Sequence, residues 1–117
     1  MDRHNELGKE GEEMAEKWLI QKGYDILFRN WRTSHYEIDI IATKNNMVHF
    51  IEVKTRNASS LGFPENSVTR KKFRFLKKAA DEFLQHYSFD WIQYDILAIT
   101  LYKNKPTEFY LLHDVFL

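Results

Sequence analysis

Two runs of alternating apolar residues, 37–43 and 47–55, are separated only by a short polar step at Asn45-Asn46, so they are bound to pair as a β hairpin. Each run carries an anomaly. Phe50-Ile51-Glu52-Val53-Lys54-Thr55 reads as a buried strand rich in β-branched and aromatic residues. The period of two puts Glu52 and Lys54 on one face and Ile51 and Val53 on the other. The partner run repeats the pattern, with Glu37 and Asp39 expected on one face and Ile38 and Ile40 on the other. Acids and a lysine on mostly apolar strands are costly unless they pair, bind a metal or do chemistry. Paired strands lie roughly 4.8 Å apart, so Asp39, Glu52 and Lys54 can converge.

The rest of the chain sets the frame for that cluster. At 117 residues, with 44% apolar and 15% aromatic residues, the composition is that of a packed globular protein, and one domain over 1–117 is expected. Cysteine is absent, which excludes disulfide scaffolds, thiolate zinc sites and cysteine nucleophiles and suits a reducing, cytoplasmic location. No apolar run approaches the ~18 residues of a membrane span, and the first residues lack a signal peptide's apolar stretch. Net charge is zero but unevenly spread. Residues 53–80 hold eight basic groups against one acid, Glu65, a net +7; the other nine bases and sixteen acids give −7. Such asymmetry favours a polyanionic partner, with a solvated basic helix face as the plainer reading.

Periodicity supplies the order of elements. Leu7, Gly11, Met14, Ala15, Trp18 and Leu19 predict a helix over 5–22, stopped at Gly23. Strands follow over 24–29, 37–43 and 47–55 as an antiparallel meander, with a polar turn at 30–35. A loop over 57–67 contains Gly62 and Pro64, and a second helix over 68–87 has Leu76, Ala79, Ala80, Phe83, Leu84 and Tyr87 on its apolar face. Strands over 91–101 and 108–112 complete α-β-β-β-α-β-β, a mixed α/β (α+β) class with a central mixed sheet of about five strands flanked by helices.

The acids have a chemistry that fits them. Mg²⁺ takes hard oxygen ligands, usually one or two carboxylates, and keeps its other positions for water and phosphate. Asp39 and Glu52 would supply the carboxylates, and the backbone carbonyl of Val53 a third oxygen. Lys54, on the same face as Glu52, could stabilise an attacking hydroxide or charge developing on phosphate. Glu12 is a fourth candidate, at the border of the first helix's apolar face, where Gly8 and Gly11 suggest close backbone approach. Glu37, one pleat from Asp39, is expected to support that site or to form a salt bridge. Arg56 and Lys72, with Arg70 and Lys71 of the same basic segment, are candidate phosphate contacts. Asp95 reads as a satisfied buried acid, the five histidines as structural or surface groups, and Trp31 and Tyr36 as core or rim.

Asp39 followed by Glu52-Val53-Lys54 resembles the PD-(D/E)XK nuclease superfamily, whose motif is an acid, a spacer, then acid-x-lysine. The fuller set resembles its YraN-like branch, related to archaeal Holliday-junction resolvases. That set is Gly8-x-x-Gly11-Glu12, Gly23-Tyr24, Arg29-Asn30, Glu37-Ile38-Asp39-Ile40-Ile41, Glu52-Val53-Lys54-Thr55-Arg56, Gly62-x-Pro64-Glu65, Val68-Thr69-x-x-Lys72 and Tyr94-Asp95. Ile38 stands where the superfamily's name has proline. The resemblance implies a restriction-endonuclease-like fold, with Asp39 and Glu52 as ligands of Mg²⁺ or Mn²⁺, Lys54 as the catalytic lysine and Glu12 as the helix carboxylate. It implies DNA as partner, with branched or repair intermediates among the candidate substrates and a two-fold dimer if the substrate is a symmetric junction. The competing expectations are a non-catalytic nucleic-acid-binding module of the same fold, and an acidic cluster that binds no metal.

Overall fold

The computed structural model describes residues 3–33, 36–59 and 70–115, with side chains from residue 8 onward. Its elements run α1 (Arg3–Gln21), β1 (Asp25–Arg32), β2 (Glu37–Lys44), β3 (Met47–Asn57), α2 (Arg70–His86), β4 (Trp91–Leu101) and β5 (Glu108–Leu112). The sheet order is β1-β2-β3-β4-β5, antiparallel throughout except for the parallel pair β3–β4. A parallel pair needs a crossover, and α2 lies within it. The expected α-β-β-β-α-β-β order and mixed sheet are therefore what the chain forms. The expectations for Leu7's side chain, for Ser34 and His35, for the loop through Gly62, Pro64 and Glu65, and for a helix start at Val68-Thr69 lie outside the described residues.

Local chemistry explains the turns. Gly23 ends α1 with φ +93°, a conformation that costs glycine little, and its N–H bonds Ile20 O at 3.1 Å. Asn45 and Asn46 both have positive φ, 53° and 63°, as a two-residue hairpin turn requires. β1 departs from expectation. The polar segment expected as a turn from residue 30 continues as strand to Arg32, because Asn30 adopts φ 51° within the strand rather than ending it.

One helix covers each face of the sheet. Against α1, Ala15 and Leu19 pack with Ile40, Ala42, Ile51, Leu97 and Ile99. Against α2, Leu76, Ala79, Ala80 and Phe83 pack with Ile38, Ile41, Val48 and Phe50. Ile51 and Val53 thus lie on the α1 face, opposite Glu52 and Lys54, as the period of two predicts. β2 does not keep that period: Ile38 belongs to the α2 side and Ile40 to the α1 side. The strand reverses its faces at Asp39. The expected common face for Ile38 and Ile40 is corrected accordingly.

Phe83 is the hub of the α2 layer. Its ring is fully buried and meets Phe28, Trp31 and Phe50 edge-on at 5.8, 5.5 and 5.7 Å, and Tyr87 in a stack at 4.6 Å. Trp31 is thereby a packing residue, and Tyr36, beside Phe75 at 5.3 Å, is another. Phe83→Ala is expected to cost about 3–5 kcal/mol in urea unfolding. A loss below about 1 kcal/mol would mean that the layer collapses around the hole.

Candidate active site

The site forms where two strands part. β2 and β3 pair from Lys44↔Met47 to Ile40↔Ile51 and no further, while β3 stays in register with β4 on to Asn57. Beyond Ile51, the edge of β3 facing β2 has lost its backbone partner. Asp39 supplies a replacement: its carboxylate accepts the Val53 N–H at 2.8 Å. In an extended strand the N–H and C=O of one residue face the same neighbour, so the Val53 carbonyl opens on the same gap.

The reversal at Asp39 has a counterpart across the ribbon. Asn30 and Asp39 face each other between the pairs Arg29↔Ile40 and Trp31↔Ile38. Asn30, in its left-handed conformation, donates from its amide to Glu12 Oε2 at 3.0 Å. Asn30 was a turn residue on sequence grounds; its tolerance of positive φ was the signal that pointed to a kink instead. The approach of α1 comes from Gly11. A Cβ there would overlap the Thr55 hydroxyl and come within 3.0 Å of the Thr55 Cβ, so only glycine lets the helix cross β3 this closely. Among the described residues nothing lies within 4 Å of such a Cβ at Gly8, so the close approach expected at both glycines is found at Gly11.

Electrostatics bind the group together. Asp39 and Glu52 hydrogen-bond through their carboxyl groups. Burial first, then the neighbouring Glu52, push Asp39 from an ordinary 3.8 up to about 8; the Val53 N–H opposes this, and Glu12 and Glu37 add to it. Glu52 is raised too, by burial first, against the pull of Lys54 and of its bond to Asp39. Lys54 is lowered by burial and then by Lys72 of α2, which lies within hydrogen-bonding reach of it, while Glu52 and Asp39 work the other way. Asp39, Glu52, Lys54 and Lys72 are therefore one electrostatic unit.

The remaining expected residues sort around that unit. Glu37 acts on both acids through its charge and also pairs with Arg32 at 3.6 Å. Glu12 stands near enough to act on Asp39, but its carboxylate does not join Asp39 and Glu52 in a three-ligand cluster. Arg70 and Lys71 are exposed in the first described turn of α2, which contains no acid, and Lys71 Nζ sits 5.9 Å over the Phe75 ring. Arg56 lies one pleat beyond Lys54, with its Nε bonded to Thr100 Oγ1 at 3.4 Å. Sequence reasoning missed a second group, His49, Asp95 and His113, because each residue sits in a different segment and no linear spacing links them. Asp95 is the satisfied buried acid expected, with bonds from Gln93 Nε2 and from the Asp114 N–H.

The oxygen donors suit a hard divalent ion. Asp39 and Glu52 set two carboxyl groups side by side, both raised by burial first, and so offer the kind of oxygen donors that Mg²⁺ takes. Asp39, Glu52 and the Val53 carbonyl are the residues that would hold it.

Residues 11–99 match the model of uncharacterised protein family UPF0102. A UPF0102 protein of Phocaeicola vulgatus is 46% identical over 108 residues, covering 92% of this chain and 89% of its own length. One from Parabacteroides distasonis is 41% identical over 114 residues, covering 97% and 92%, and one from Caldicellulosiruptor saccharolyticus is 40% identical over 103 residues, covering 88% and 87%.

The raised Asp39 predicts a pH dependence. Because its folded value lies above its unfolded one, the folded chain holds the extra proton, and the stability this contributes is lost as pH rises through about 8. Without divalent ions, unfolding by urea is expected to show a less stable protein at about pH 9 than at about pH 5. Asp39→Asn is expected to flatten that difference; an unchanged slope would place the titration elsewhere.

Proposed function

The chain belongs to uncharacterised protein family UPF0102, and within it we propose a metal-dependent endonuclease that hydrolyses phosphodiester bonds of DNA. The observation that carries this reading is the adjacent Asp39 and Glu52 carboxyl groups at the strand fork, with Lys54 beside them. When bound there, Mg²⁺ or Mn²⁺ supplies a Lewis acid for a phosphate oxygen and lowers the pKa of a bound water. The protein's part is placement and charge. Asp39 and Glu52 fix the ion's position, and the Val53 N–H keeps Asp39 aimed at the gap. Lys54 gives up its proton more readily than an ordinary lysine, so it can accept one from an attacking water or stabilise the charge that develops. Glu12, held by Asn30, adds negative charge from the helix side.

The phosphate backbone has a surface to follow. Arg70, Lys71, Lys72, Arg74, Lys77 and Lys78 are all exposed on α2. Positive side chains in a helix's first turn oppose its dipole, and an anion lying there relieves both. Lys72 joins this surface to the acids through Lys54 and Glu52. No described helix is long and apolar enough to cross a membrane.

Branched, nicked and single-stranded DNA incubated with the purified chain and Mg²⁺ or Mn²⁺ tests the proposal. Cleavage is expected, with Glu52→Gln and Lys54→Ala each reducing it by at least about a hundredfold. Absence of cleavage on every substrate, or full activity in Glu52→Gln, would sink the enzymatic reading. Binding without cleavage, indifferent to Asp39→Asn, would favour the non-catalytic module that the basic α2 surface alone could support. In either case Arg70→Ala with Lys71→Ala should make the log–log salt dependence of DNA binding shallower by about 0.9 for each phosphate no longer neutralised.

A further inference from the structure

A second group of ligand-type side chains lies away from the acids, on the other face of the sheet. We propose that His49, Asp95, His113 and Gln93 form a site for a divalent transition ion of the zinc class, distinct from the oxygen site at Asp39 and Glu52. His49 Nδ1 lies 2.7 Å from Asp95 Oδ2, His113 Nδ1 lies 3.6 Å from Asp95 Oδ1, and the three donor atoms all fall within 4.8 Å of one another. Asp95 is fully buried and His49 nearly so, while His113 is about half exposed and forms the mouth. Tetrahedral zinc with ligands at about 2.0–2.1 Å needs donors roughly 3.3 Å apart. A site of that size needs the buried His49–Asp95 pair to open by about 0.6 Å and the half-exposed His113 to swing inward.

Gln93 completes the set. Its Nε2 stands 2.8 Å from both Asp95 Oδ1 and His113 Nδ1. Turning the amide over puts Oε1 in that place, an orientation that repels the Asp95 carboxylate unless a cation lies between them. Two imidazoles, one carboxylate and one amide oxygen then make up the donor set. Imidazole nitrogens favour zinc-like ions, whereas Mg²⁺ favours sites of oxygen alone. The backbone beside His113 is tied to β4: Asp114 takes φ 51° and donates its N–H to Asp95 Oδ1 at 3.2 Å, and the Val115 N–H bonds Tyr94 O at 3.1 Å.

The ligands come from β3, β4 and the segment after β5, so a bound ion ties together three neighbouring parts of the sheet. The site is independent of the acids. His49 and Glu52 face opposite sides of β3, about 10 Å apart along the strand. It requires no nuclease activity and would stand if that reading fell.

The test uses the full chain carrying Asp39→Asn, stripped with chelator, so that the oxygen site does not contribute. Titration with Co²⁺ should give the visible bands of a tetrahedral ion at one equivalent, displaced by Zn²⁺ and not by excess Mg²⁺. His113→Ala, at an exposed position, should fold normally in chelator and bind Co²⁺ at least about tenfold more weakly, the smaller cost seen for residues that merely support a ligand. Gln93→Glu sets a second carboxylate beside Asp95; its melting temperature should fall in chelator and recover with Zn²⁺. Failure of the Asp39→Asn chain to bind Co²⁺ or Zn²⁺, equal affinity in His113→Ala, or no recovery of Gln93→Glu by Zn²⁺ would each overturn the site.

Discussion

The bond from the Val53 N–H to the Asp39 carboxylate is the interaction on which the acidic site depends. A sheet cannot leave a half-buried N–H unpaired without a cost of about 1–3 kcal/mol, so a fork between two strands must be filled by something. Here a carboxylate fills it, and filling it pulls that carboxylate beside Glu52. The same act that satisfies the backbone therefore creates the like-charge pair. Lys54 and Lys72 offset part of the resulting repulsion at Glu52, while burial first and then the Glu52 charge push Asp39 up.

Much of this was legible in the residues, for reasons that differ from place to place. The hairpin at Asn45-Asn46 was readable because few residues accept positive φ twice in succession. Glu52 and Lys54 were readable because a regular strand fixes their common face, and β3 is regular. The end of β4 and the start of β5 agree with the pattern because Pro106 and its polar neighbours punctuate the step between them.

What was not legible depends on departures from regularity or on pairings distant in sequence. The face reversal at Asp39 breaks the period of two, and nothing in Glu37-Ile38-Asp39-Ile40 announces it, since the residue types suit either arrangement. Gly8 and Gly11 look alike in the chain and differ only in what lies beneath them. His49, Asp95 and His113 meet only because β3 and β4 run parallel in one particular register, with Ile51 beside Asp95, and because the turn after β5 folds back over it. Register between distant strands is a tertiary property.

The sheet topology also separates pairings that are local in sequence from those that are distant. The antiparallel meander β1–β2–β3 is local in sequence, so its pairings close over short loops. Asp39, Glu52, the Val53 N–H and Asn30 all lie within it. Lys72 comes from α2, within the crossover that joins β3 to its parallel neighbour β4. The two acids are thus brought together by local strand pairing, and their basic neighbour by the packing of α2 on the sheet. A shift of α2 would therefore alter the charge around Glu52 and Lys54 without touching the strands that hold the two acids.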